Sequence, residues 1–167
     1  VVAVISPWNY PLMISLTPML SALLAGNTVV LKTSEITPAV GVLLETLFKT
    51  IPELALYVRV VHGDGRVGAA LTNSRPDYIF VTGSTATGKK IMQAAADSFI
   101  PVTLELGGKD AMIVLEDADL DAAAHWGTWG AYFNAGQACM SVERVYVVES
   151  KYDEFVKRSV QYTKEIN

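Results

Sequence analysis

The chain has 167 residues, 51% of them hydrophobic and 18% charged, with a net charge of −4 and one cysteine. That length supports one domain with a sizeable core, or one domain plus part of a second. The apolar content excludes a disordered chain, and an acidic balance without a Lys/Arg run argues against nucleic acid as a partner. One thiol cannot close an internal disulfide, so a reducing, cytoplasmic compartment is expected.

No charge falls in residues 1–31, whereas ten of the thirty charges lie in residues 143–167. The chain opens on Val1 within an apolar run and reads as an internal piece of something longer. The uncharged opening exceeds the roughly 20 residues of a transmembrane helix. Pro7, Pro11 and Pro18 interrupt it, Asn9 and Asn27 are polar, and no basic flank precedes it, so no membrane span is expected. The opening instead predicts a strand over Val1–Ile5, a proline-broken loop, a helix over Leu12–Ala25 stopped by Gly26-Asn27, and a strand over Thr28–Lys32, all buried.

Thr37-Pro38 predicts an N-cap and a helix to about Lys49. Leu56–Val61 follows as a strand, then the glycine turn His62-Gly63-Asp64-Gly65 and a short helix near Val67–Thr72. Asp77–Thr82 is expected as a strand, Gly83–Gly88 as a turn and Lys89–Ala96 as a helix. Val102–Leu106 and Ala111–Leu115 read as strands on either side of Gly107-Gly108, the one visible boundary. Asp119–Phe133 reads as a helix, with Trp126, Trp129, Tyr132 and Phe133 as core. A loop around Gly136, a strand over Arg144–Val148 and an amphipathic helix over Tyr152–Ile166 complete the chain. Apolar strands alternating with helices predict an α/β fold with a parallel sheet covered on both faces, and ligands at the carboxyl ends of its strands.

Several groups could carry chemistry. Gly83-Ser-Thr-Ala-Thr-Gly88-Lys89-Lys90 nearly matches a P-loop, but Lys90 stands where a Mg²⁺-binding Ser or Thr is required, so an anion-binding turn and a plain tight turn both remain open. A nucleotide-triphosphate hydrolase is the rival reading that this run supports. Cys139 is either a small buried hydrophobe or a nucleophile. Glu105, in an apolar strand before two glycines, is either a paired structural ion or a general base. Asp117, Asp119 and Asp121 alternate like a calcium loop. Ala122 and Thr128 replace its required Gly and Glu, so these acids are expected to cap the following helix and no metal site is expected.

Five runs in order resemble the NAD(P)-dependent aldehyde dehydrogenase superfamily: Pro7-Trp-Asn-Tyr-Pro11, Leu31-Lys-Thr-Ser-Glu35, Thr82-Gly-Ser-Thr85 with Gly88, Leu104-Glu-Leu-Gly-Gly-Lys109, and Phe133-Asn-Ala-Gly-Gln-Ala-Cys139. The resemblance implies Cys139 as nucleophile, Asn9 as oxyanion donor and Glu105 as the base that activates water. It implies an NAD site built from Ile5, Ser6, Pro7, Trp8, Lys32, Glu35, Gly65, Gly83, Ser84, Thr85, Gly88, Leu106 and Gly107. Glu35 beside the adenosine ribose favours NAD over NADP. The implied fold is a Rossmann-like sheet of an NAD-binding domain over 1–106, incomplete at its start. Residues 107–167 would begin the catalytic domain as a β-α-β-α segment, incomplete at its end. The family's later Glu-x-Phe-Gly-Pro run is missing, as are its amino-terminal part and its carboxyl-terminal segment. Val81 stands where the family often has Phe. Tyr10, Met13, Trp129 and Met140 point to a hydrophobic aldehyde, and the resemblance implies a homo-oligomeric parent. The competing non-enzymatic reading is an inactive folding or association unit with exposed apolar surface.

Overall fold

The computed structural model describes residues 1–166. The chain divides into two compact units, Val1–Leu106 and Gly107–Asn167.

In the first unit five parallel strands form one sheet: β1 (Val2–Ile5), β2 (Val29–Lys32), β3 (Val58–Val61), β4 (Tyr78–Gly83) and β5 (Val102–Leu106), in the order β3-β2-β1-β4-β5. Alternation along each strand sorts the core. Val2 and Val4 of β1 pack with Val29 and Leu31, together with Met19, Leu44 and Phe48. Ala3 and Ile5 point the other way, with Ile79, Val81, Ile91 and Ala95. The first face is covered by α1 (Met13–Leu24) and α2 (Pro38–Lys49), the second by α4 (Gly65–Asn73) and α5 (Thr85–Ala96). This is the doubly wound arrangement that continuous β-branched strands require, because both faces of the sheet must leave water. Burying a side chain such as Leu31 stabilises the fold by roughly 1.5–3 kcal/mol.

Several local expectations are corrected. α1 is not wholly buried: Ser15 and Met19 face the sheet, whereas Met13 and Leu24 are exposed, because a helix lying on a sheet buries only one stripe. The short α3 (Pro52–Ala55) was not expected. Thr37 stands at the N-cap of α2, followed by Pro38, but its side chain makes no capping bond. α4 starts at Gly65, earlier than expected, because Asp64 accepts a hydrogen bond from the Arg66 amide. α5 starts at Thr85 rather than Lys89, because Ser84 accepts from the Thr87 amide and draws the small residues Thr85–Gly88 into the first turn.

The second unit pairs β6 (Asp110–Val114) with β7 (Val142–Val147) in parallel. α6 (Leu120–Tyr132) and α7 (Glu149–Glu165) pack on one face around Val114, Ala124 and Phe155. Asp119 caps α6 by accepting from the Asp121 and Ala122 amides, as expected for this acidic run. The aromatic residues assigned to the core are the main error: Trp126 is 61% exposed and Tyr132 51%. Ala124, Gly127 and Thr128 form the buried stripe of α6, so the large rings fall on its other side. β7 and α7 each begin earlier than expected, at Val142 and Glu149. Among the described residues no helix is long and apolar enough to cross a membrane.

Candidate active site

The strand order reverses direction at β1, with β2 on one side and β4 on the other. In an open parallel sheet this opens a crevice beyond the carboxyl ends of the two strands. The segments leaving β1, β2 and β4 carry Ser6–Asn9, Thr33–Glu35 and Gly83–Ser84, so most of the residues singled out in the first unit gather at one edge of the sheet.

Ser6 is buried, and its amide donates to the Lys32 carbonyl at 3.0 Å, tying the start of the β1 loop to β2. Pro7 is buried as well, Trp8 is exposed and Asn9 is half-buried. Lys32 is buried, and its ammonium donates to Glu35 at 2.7 Å. That hydrogen bond, followed by one from Glu35's own backbone, holds the Glu35 carboxyl below its ordinary value.

Sequence reasoning missed what supports this strand end. Thr33 is buried, with its Oγ1 3.5 Å from His62 Nδ1, and His62 Nε2 lies 2.8 Å from Glu45 of α2. Gly41 of α2 is pressed against them: a Cβ there would stand 2.4 Å from Thr33 Oγ1. The ion pair Glu45–Lys49 at i,i+4 spacing offered only a generic helix signal.

The β4 turn is packed closely on one side and open on the other. A Cβ at Gly88 would stand 2.8 Å from Leu106 of β5, so the helix packs tightly on the sheet there. Added Cβ atoms at Gly83 and Gly65 would meet nothing within 4 Å, leaving open space beside the strand ends. The Thr82 hydroxyl is buried with no hydrogen-bond partner among the described residues. Only Ser84 separates β4 from α5, so there is no multi-residue loop to wrap a triphosphate. The P-loop reading therefore fails, while the first-turn amides of α5 still favour an anion. A separate hollow of about 390 Å³, lined by Arg75, Asp97 and Phe99 among others, lies at the amino ends of β4 and β5. That is the opposite edge from the one where such sheets bind ligands.

Glu105 pairs in register with Thr82 and is exposed. Among the described residues its carboxylate has no cationic partner within salt-bridge distance. Leu106 ends the same strand and Gly107 opens the second unit. Cys139 belongs to that second unit, where it is a free, exposed thiol in the loop between α6 and β7.

A parallel sheet wound outward from β1 in both directions, with glycines and an acid at its strand ends, defines a nucleotide-binding type of α/β fold. The chain belongs to the aldehyde dehydrogenase family, whose profile matches residues 1–167. It is 53% identical over 156 residues to 4,4'-diapolycopene aldehyde oxidase of Methylomonas, covering 93% of this chain and 29% of that protein. The structure of a putative aldehyde dehydrogenase, PutA, from Anabaena variabilis superposes with a TM-score of 0.95 at 46% identity, covering 99% of this chain and 35% of that one. An NAD+ complex of an aldehyde dehydrogenase from Bacillus cereus gives a TM-score of 0.84 at 37% identity, covering 99% and 34%. The chain thus spans about a third of the length of the relatives it matches.

Proposed function

We propose that this chain carries the nucleophile, the water-activating base and the oxyanion donor of an NAD-dependent enzyme that oxidises an aldehyde to a carboxylic acid. Family membership and the exposed Cys139 thiol are the observations that carry the reading most directly.

In this reading residues 1–106 are the NAD-binding domain and residues 107–167 the beginning of the catalytic domain. Ile5, Ser6, Pro7 and Trp8 line the cleft beside the cofactor. Lys32 and Glu35 hold the adenosine ribose, and Gly65, Gly83, Ser84, Thr85, Gly88, Leu106 and Gly107 surround the rest. Glu35 accepts from ribose hydroxyls and repels a 2′-phosphate, which favours NAD over NADP. Support comes from the orphaned Thr82 hydroxyl, from the open space at Gly83 and Gly65, and from the NAD+ bound by the Bacillus cereus relative.

Cys139 Sγ adds to the aldehyde carbonyl and forms a thiohemiacetal. The Asn9 side-chain amide and the Cys139 backbone N–H donate to the tetrahedral oxygen, and losing one such donor typically costs about 10²–10³ in rate. When bound, NAD supplies the two-electron acceptor that oxidises a thiohemiacetal to a thioester. Glu105 then takes a proton from water, the water oxygen attacks the thioester carbonyl, and Cys139 leaves as a thiol while the acid is released. A hydrophobic aldehyde suits the apolar candidates Tyr10, Met13, Trp129 and Met140, and the Methylomonas relative is named for 4,4'-diapolycopene aldehyde.

Glu105→Gln tests the assignment of the base. It should give one burst of NADH per site and a trapped thioester detectable by mass spectrometry. Unimpaired steady-state turnover in that variant would remove Glu105 from the mechanism.

A further inference from the structure

The loop that presents Cys139 is closed by a contact on its far side. Phe133 leaves the helical backbone at the end of α6, and Asn134, Ala135 and Gly136 follow with φ of 51°, 58° and 73°. All three are left-handed, a region that Gly136 and Asn134 tolerate and that the Ala135 side chain disfavours. The turn is bonded internally: the Gln137 amide donates to the Asn134 carbonyl at 3.1 Å, and Asn134 Nδ2 donates to the Gln137 carbonyl at 3.3 Å. Beyond Cys139, the Ser141 amide donates to the Ala138 carbonyl at 3.1 Å.

Ser141 then returns to the helix. Its hydroxyl is 3.2 Å from both the Gly130 and the Ala131 carbonyl, and the residue is 4% exposed. Both carbonyls lie in the last turn of α6, the end of a helix where carbonyls run short of intrahelical donors. One hydroxyl hydrogen is shared between the two. The approach is tight, since a Cβ at Gly130 would stand 3.0 Å from Val142 and a Cβ at Gly136 3.2 Å from the Ala131 carbonyl.

We propose that Ser141 is a positioning residue for Cys139. By clamping the outgoing end of the loop to the end of α6, it makes the left-handed turn and the thiol one closed unit. The inference rests on Cys139 being the nucleophile. Attack on a bound carbonyl needs alignment within about 1 Å, and a misplacement of that size can cost about 10²-fold. Alkylation by a small reagent from bulk water has no such requirement.

The test compares Ser141→Ala and Ser141→Thr in the aldehyde-oxidising enzyme. The readouts are kcat and KM for an aldehyde, the rate of iodoacetamide alkylation of Cys139, and amide hydrogen exchange across residues 134–141. Ser141→Ala should lower kcat by about 10- to 100-fold. KM and the alkylation rate should stay within about twofold, and exchange should accelerate in the loop alone. Ser141→Thr, which keeps the hydroxyl, should recover most of kcat. Unchanged kcat in Ser141→Ala, a loss that threonine does not recover, or global unfolding would overturn the proposal. Turnover retained in Cys139→Ala, or a wild type without turnover, defeats the underlying reading instead, and the exchange rates then decide the clamp by themselves.

Discussion

The two units repeat the same grammar of parallel strands and covering helices, yet they bury it differently. In the first, all four residues of β1 are buried, and helices cover both faces of the sheet. In the second, Met112 and Val114 face the helices, whereas Ile113 is 69% and Leu115 57% exposed. The first sheet is a core in its own right, and the second is half of one. Apolar sequence thus marks surface destined for burial without saying what covers it.

The largest test of this contrast is truncation. Leu44→Ala removes a fully buried side chain of the first unit and should cost about 2–5 kcal/mol in denaturant unfolding. Ile113→Ala in the second should stay within about 0.5 kcal/mol. Equal losses would erase the distinction.

Glycine substitutions sharpen it further. Gly41→Ala forces a Cβ against the buried Thr33 hydroxyl at 2.4 Å and should cost about 1–3 kcal/mol while weakening NAD binding. Gly127→Ala in the second unit meets the Met112 sulfur at 2.9 Å. A thioether on three rotatable bonds yields more easily, so less than about 1 kcal/mol should be lost in thermal unfolding.

Ala135→Gly runs in the opposite direction. Relief of a left-handed alanine is worth about 1–2 kcal/mol, offset by about 0.5–1 kcal/mol of chain entropy, so a net gain in unfolding free energy is expected. A loss would show that the Ala135 methyl group is needed there.

The smallest expected effect is electrostatic. The Lys32 hydrogen bond depresses the Glu35 carboxyl below its ordinary 4.5. Its stabilising contribution is therefore complete above that value and is lost as pH falls through the folded pKa. Glu35 is half-exposed, so solvent screens much of the interaction. Glu35→Gln should slightly flatten the acid limb of a stability–pH curve, and an unchanged slope would contradict the pairing.

Legibility followed burial as well. The strands around Val4, Leu31 and Val81 could be read because two-sided burial writes continuous apolar runs. The rings of α6 could not, because Trp126 and Tyr132 are as apolar as core residues while Ala124 and Gly127 form the packed stripe. Cys139 and Glu105 stand out locally only as open alternatives and Asn9 through motif order alone, since no local pattern distinguishes a reactive thiol from an inert one. Ser141 and His62 left no signal, because a serine clamping a helix end or a histidine bridging a strand and a helix is defined by tertiary contact alone. The early starts of α4 and α5 arose from Asp64 and Ser84, whose capping bonds were hidden within runs read as turns.

The thiol is the group on which aldehyde oxidation most directly depends. Cys139→Ala should abolish NADH formation from an aldehyde while NAD binding, followed by calorimetry, remains within about twofold of wild type, since the nucleophile is separate from the groups assigned to the cofactor. Sustained NADH production by that variant would contradict that dependence.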